Sequence, residues 1–165
     1  MIVMSRLALL AAVVAVAVLL SCTDDNPTTP EEPDYGAPPA DIQWLPVESL
    51  FVDFPGKREL SLIYVDAKWC HWCHKMEDST LCDTGVIRMI WQHFNAARLD
   101  LDDSTIVNPG DTLISIRNLA RYVYEVEGVP TSVFLTREGE HMGNSAGYRG
   151  PDSYIRLLQY VLNSD

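Results

Sequence analysis

The sequence predicts an α/β domain, a central mixed β-sheet flanked by helices on both faces, and three observations carry the prediction. Leu60 to Val65, Ala97 to Leu101 and Thr131 to Leu135 are short runs of β-forming residues separated by segments of helical periodicity. Such alternation lays helices on a largely buried sheet. A turn at Glu138-Gly139 joins the third run to a further strand at His141 to Ala146, which makes the sheet mixed. Finally, the string Trp69-Cys70-His71-Trp72-Cys73-His74 stands where the first run gives way to helix.

In chain order, Ile42 to Leu45 reads as a short edge strand stopped by Pro46, and Val47 to Phe54 as a helix broken by Pro55-Gly56. Leu60 to Val65 is short and mostly apolar, as a strand buried on both faces should be. Helices are predicted over His71 to Ser79 and Val86 to Phe94, the second with Val86, Ile90 and Trp91 or Phe94 on one face. Asp102 to Asp111 contains Asn108-Pro109-Gly110 and reads as loop. Leu113 to Tyr124 is predicted as a third helix, with Leu113, Ile116, Leu119 or Ala120, and Val123 spaced for a core. A last helix runs from Pro151 or Asp152 to Leu162, with Asp152 suited to cap it.

Two segments precede the domain. Residues 1–21 read as an export signal: Arg6 gives a positive start, Leu7 to Leu20 an apolar run, and polar, proline-rich sequence follows at once. The junction Leu19-Leu20-Ser21-Cys22 resembles the bacterial lipobox, which implies cleavage before Cys22 and acylation of that cysteine. Multiple acyl chains on one residue would anchor the protein stably in a lipid membrane. Residues 22–41 carry Pro27, Pro30, Pro33, Pro38 and Pro39 among acidic residues and read as an extended tether, reaching up to roughly 50 Å at about 3.1 Å per residue. The globular domain is expected over residues 42–165.

The formal charge of the 165-residue chain is −11. Asp24, Asp25, Glu31, Glu32, Asp34 and Asp41 fall in a stretch with no Lys or Arg. That balance excludes nucleic acid as a partner and excludes electrostatic adhesion to anionic lipid. Membrane association would then be covalent, through Cys22.

Of the four cysteines, Cys22 is assigned to lipid, Cys70 and Cys73 form a pair, and Cys82 is left as a small, partly buried thiol. The first turn of a helix leaves N–H groups unpaired and carries the positive end of the dipole, so a thiolate at Cys70 is stabilised there. Cys70 becomes the attacking sulfur. Cys73, one turn on, can attack the mixed disulfide and release the partner. An imidazolium at His71 would further favour the thiolate, whereas His74 reads as a first-turn residue in solvent. Trp69 and Trp72 offer an apolar docking surface around the sulfur.

Trp-Cys-x-x-Cys after a buried strand, Tyr124-Glu125-Val126-Glu127-Gly128-Val129-Pro130-Thr131 before another, Glu138-Gly139-Glu140 in a turn and Gly147 ahead of the closing helix together resemble thioredoxin. Within that superfamily the chain is most similar to the thioredoxin-like domains of bacterial envelope thiol:disulfide interchange proteins, which share the Asp83-Thr84-Gly85-Val86 type of helix restart. The resemblance covers residues 42–165 and implies a thioredoxin fold. It also implies a cis peptide before Pro130, with Val129 and Pro130 facing Cys70 and pairing with extended substrate. One position departs from the family: the buried carboxylate expected six residues before Cys70 is Tyr64. Asp66, two residues further along the same strand face, could substitute through water, although a carboxylate at a strand end ordinarily reads as solvated.

Cys70-His71-Trp72-Cys73-His74 is also a c-type haem attachment string, and two thiolates with two imidazoles could hold copper or zinc in a chaperone or sensor. Haem attachment needs neither the preceding strand nor Val129-Pro130-Thr131, and helical spacing turns His71 away from a four-ligand site. The expected function is therefore envelope thiol–disulfide exchange with no cofactor and no metal. Reduction is the expected direction, with oxidised envelope proteins as substrates and a membrane dithiol protein as electron donor.

Overall fold

A computed structural model describes residues 36–110 and 112–164 of the chain. The export signal, Cys22 and most of the predicted tether lie outside the described residues. After Leu45, which makes only an isolated parallel bridge to Ala97, a 3₁₀ turn spans Val47–Phe51. The regular elements then run β1 (Leu60–Asp66), α1 (His71–Met76), α2 (Thr84–His93), β2 (Phe94–Asp100), β3 (Ile106–Val107), β4 (Ile114–Ser115), α3 (Ile116–Asn118), β5 (Thr131–Leu135), β6 (His141–Ala146) and α4 (Pro151–Leu162). Single π-helical turns extend α1 through Glu77–Leu81 and α3 through Leu119–Val123.

The main sheet has the order β2-β1-β5-β6, with β1 parallel to β2 and β5 antiparallel to both of its neighbours. All seven residues of β1 are buried. The period of two along the strand sorts its side chains: Leu60, Leu62 and Tyr64 join the core with α2 and α4, while Ile63 and Val65 join the core with Leu50, Ile116, Leu119 and Ala120 on the other face. The sheet is therefore covered on both sides, and its hydrophobic faces leave little freedom of register.

Several predicted elements are corrected by what their neighbours do. The edge strand at Ile42 to Leu45 is reduced to one bridge, and the Val47 to Phe54 helix to a 3₁₀ turn; the Leu50 carbonyl in it and the Val52 carbonyl just after it accept from the buried Lys57 ammonium. Phe94 belongs to β2, because its backbone pairs with Leu60. Within the predicted loop, Ile106 and Val107 pair with β4. The third helix starts three residues late: Leu113 is 74% exposed and Ser115 caps the turn by accepting from the Asn118 N–H. The following π turn bonds Tyr124 N to Leu119 O, one residue beyond α-helical spacing. That extra residue puts Tyr124 into the core and leaves Val123 exposed.

Helix α2 carries its own start signal. Asp83 Oδ1 accepts from the N–H groups of Gly85 and Val86 at 2.9 and 3.1 Å. Gly139, at φ +89° in the β5–β6 turn, is required for space as well as conformation, since a Cβ there would lie 2.8 Å from Phe51 Cδ1. Replacing Asp83 by Ala should lower the unfolding free energy by about 1 kcal/mol, read as a reduced urea midpoint at unchanged slope.

Candidate active site

The site forms where β1 leaves the sheet. After Asp66 the chain turns, with Cys70 N donating to Ala67 O at 3.0 Å, and Cys70 becomes the N-cap of α1. Its Sγ accepts from Cys73 N–H at 3.0 Å. The two cysteines are joined in a disulfide, their Cα atoms 5.2 Å apart. Cys70 retains 5% exposure and Cys73 none, so the outer sulfur is the one a partner can reach. The N–H that touches Cys70 Sγ in the disulfide is already placed to stabilise a thiolate there once the bond is broken.

The exposed indoles bracket this sulfur in the sequence: Trp69 is 71% and Trp72 53% exposed. Trp69 is held by its Nε1–H to Asp102 Oδ1 at 3.2 Å, and the neighbouring Lys68 N–H donates to Asp102 Oδ2 at 3.0 Å. His71 is exposed and meets Trp72 edge-on, with ring centroids 5.8 Å apart; His74 is exposed too. The Val129-Pro130 peptide is cis, and Val129 packs with Leu101 against Ala67, Cys70 and Cys73. Thr131 Oγ1 donates to Gly128 O at 2.7 Å, and Gly147 N to Pro130 O at 2.8 Å, which fixes this loop from both sides. Cys82 is an exposed free thiol rather than a partly buried one, directed at Asp78 O at 3.1 Å.

Asp66 is not solvated: it is 2% exposed, and its expected place at a solvent-washed strand end is wrong because β2 supplies a cover. Arg98, paired with Tyr64 across β1 and β2, ion-pairs with Asp66 Oδ2 and reaches Glu77 Oε1 at 2.7 Å. The other oxygen, Asp66 Oδ1, is buried without a partner among the described residues. Burial pushes the Asp66 carboxyl up to about 6 against the opposing pull of Arg98. Tyr64, raised by burial and then by Asp66, stays a phenol and sends its hydroxyl to Cys73 O at 3.4 Å. The cluster therefore lies on the inner side of the redox helix.

Sequence reasoning singled out Cys70, Cys73, His71, Trp69, Trp72, Val129, Pro130 and Asp66, and all but Asp66 and Trp69 meet by direct packing or ring contact with the motif or the groove beside it. It missed Arg98, Glu77, Asp102, Lys75 and Tyr148. Arg98 had a signal, the one cation in the Phe94–Asp100 strand; the others had none. Among the described residues no group of three or more His, Cys, Asp or Glu converges on a position that could hold a metal ion. No helix among them is long and apolar enough to cross a membrane.

The Arg98 pair sets a test with a definite sign. Because the folded state holds the Asp66 proton up to about pH 6 and the unfolded chain releases it near pH 4, ionising Asp66 costs stability progressively across that interval and by a constant amount above it. Arg98→Met should therefore destabilise the protein by about 2–3 kcal/mol at pH 8, less than a wholly buried pair because the arginine is partly exposed, and by clearly less at pH 5. Urea unfolding at both pH values measures it, and equal losses at pH 5 and 8 would contradict the assignment.

The sequence model of the thioredoxin-like domain matches residues 47–162. No curated protein matches the chain. Among solved structures, a thioredoxin from Thermus thermophilus is 24% identical with a TM-score of 0.58, over 74% of this chain and 88% of that one. A DsbH oxidoreductase is 18% identical with a TM-score of 0.56, over 76% and 88%. A thioredoxin-fold protein from Helicobacter pylori is 20% identical with a TM-score of 0.56, over 62% and 68%. With the mixed sheet, the helix-capping cysteine and its bonded partner in place, the chain belongs to the thioredoxin-like family and is a thiol:disulfide oxidoreductase with Cys70 and Cys73 as its redox pair.

Proposed function

We propose that the protein reduces disulfides of exported proteins in the bacterial cell envelope, anchored to a membrane through lipid on Cys22. The observation that carries the reading is the Cys70 sulfur, slightly accessible, hydrogen-bonded to a helix-terminal N–H and packed beside the Val129-Pro130 loop. Cys70 thiolate attacks one sulfur of a substrate disulfide, forming a mixed disulfide and expelling the other substrate sulfur as a thiolate. Cys73 then attacks Cys70, re-forming the Cys70–Cys73 bond and releasing the second substrate thiol. Two electrons pass to the substrate, with two protons, and no cofactor takes part.

The Val129 backbone offers an edge on which an extended substrate segment can pair, and Trp72 and Pro130 line the groove beside it. Cys73 is closed off from solvent, so its proton needs an internal acceptor. Asp66, sharing a strand face with the tyrosine that bonds the Cys73 carbonyl, is the carboxylate available on that side to accept it. His71 adds positive charge near Cys70 when protonated. Electrons would come from a membrane-spanning dithiol protein, since an oxidising compartment offers no soluble source of comparable strength. The acidic, proline-rich segment before the domain would hold it clear of the lipid surface.

Equilibration of the full chain with defined thiol buffers, followed by mass-based counting of free thiols, tests the direction. A potential near about −270 mV is expected for a reductase, and one near about −120 mV would make the protein an oxidant that donates disulfides. Cys73→Ser should trap a mixed disulfide with substrate at Cys70, seen as a mass shift on non-reducing gels, whereas Cys70→Ser should abolish exchange and give no shifted species. Cys22→Ser should move the protein from the membrane to the soluble fraction of expressing cells, and persistence of full membrane association would sink the lipid anchor.

A further inference from the structure

Beside Cys70 lies an open groove of about 320 Å³ lined by Trp72, Val129, Pro130, Gly147 and Tyr148. One wall is aromatic: the Trp72 and Tyr148 rings lie 5.7 Å apart. Lys75, one turn along from Trp72, sets its ammonium over both, 5.0 Å from the Trp72 centroid and 4.7 Å from that of Tyr148. The arrangement is braced from below, where Ser79 Oγ donates to Lys75 O at 2.6 Å and lies 3.2 Å from the Tyr148 hydroxyl. Two elements distant in sequence thus build one wall.

The charge on that wall is unanswered. Lys68, Arg98 and Arg137 each pair with a carboxylate, whereas no carboxylate among the described residues comes within 4.0 Å of Lys75 Nζ. Two π faces attract the ammonium without neutralising it. Across the motif, next to Trp69, the balance reverses: Asp102 holds the indole, Asp103 stands nearby in sequence, and the one cation there, Lys68, is already paired with Asp100. The face around Cys70 is therefore polarised, cationic on the Trp72 side and anionic on the Trp69 side.

From this geometry we infer that the groove recognises an extended acidic segment of an oxidised polypeptide, with an apolar side chain against Trp72 and Tyr148 and an Asp or Glu carboxylate on Lys75. The inference rests on the oxidoreductase reading and names its substrate class. It also runs against the overall charge of −11, which by itself favours basic partners. At about 0.15 M salt the distant charges are screened beyond roughly 8 Å, whereas a carboxylate in contact with Lys75 is not. The local cation then decides the preference.

The chemistry is the exchange already written: the peptide disulfide gains two electrons and two protons while Cys70 and Cys73 become a disulfide. Reduced full chain would be mixed at 0.15 M salt with disulfide-linked peptides identical except for Glu, Gln or Lys beside the reacting cysteine, and second-order rates read by stopped flow. The Glu peptide should react about fivefold faster than the Lys peptide, with Gln between them. Lys75→Gln should bring the Glu-to-Lys ratio close to one and Lys75→Glu should invert it; the ratio cancels any change in thiolate reactivity. A wild-type ratio of one or less, or a ratio that survives Lys75→Gln, would overturn the inference. Hydroxyethyl disulfide, small and uncharged, separates the two levels of failure. If wild-type protein reduces it without preferring the Glu peptide, only the acidic-segment inference fails; if it reduces neither, the oxidoreductase reading falls and carries this one with it.

Discussion

The redox site depends on the burial of β1. Both faces of the strand are apolar and both edges are paired, to β2 in parallel and to β5 antiparallel, so a slip of one residue would exchange two complete hydrophobic faces. That constraint fixes where the chain leaves the sheet and hence where Cys70 caps its helix. It also fixes the opposite side of the site, because Thr131 pairs with Val65 and so sets Pro130 and Val129 next to the cysteines. One strand thereby locates two parts of the site that are far apart in sequence.

Burying β1 and its two neighbouring strands so completely obliges the polar groups of all three to find partners, and most do. Asn95 donates to the carbonyls of Arg58 and Leu60, and Ser132 pairs with the Tyr154 hydroxyl, whose ionisation burial pushes up to about 12. Asp66 is the exception, with one oxygen bonded to Arg98 and one left bare, and it lies at the end of the strand that carries the chemistry. Arg98 joins Asp66 on β1 to Glu77 on the turn that follows α1. The redox helix is thus tied to the sheet by charge on one side and by packing of Met76 into the core on the same face.

The sheet was legible because its strands are short apolar runs whose alternation sorts itself into two cores, and the cysteine pair because its spacing and its place after β1 suffice to define it. What escaped did so for two physical reasons. Local hydrogen-bonding chemistry changed the helical count: the π turn at Leu119–Val123 exchanges Val123 for Tyr124 in the core, and Ser115 starts its helix later than periodicity suggests. Tertiary partners changed the environment of single residues: Asp66 looks solvated until Arg98 arrives from β2, and Lys75 looks like an ordinary helix-surface cation until Tyr148 is folded against it. Neither meeting leaves a trace in local pattern.

The small exposure of Cys70 acts as a filter on shape. Only 5% of the residue is open to solvent and its partner sulfur is sealed beneath it, with the Val129-Pro130 loop alongside. Displacement at sulfur requires the incoming atom to approach along the bond that breaks, so the reacting cysteine of any partner has to arrive on a segment that stands proud of its own surface. Disulfides locked inside finished folds cannot make that approach, whereas those in chains still folding can. Timing thus becomes a basis of discrimination: the same bond is open to exchange before its protein has closed around it and out of reach afterwards.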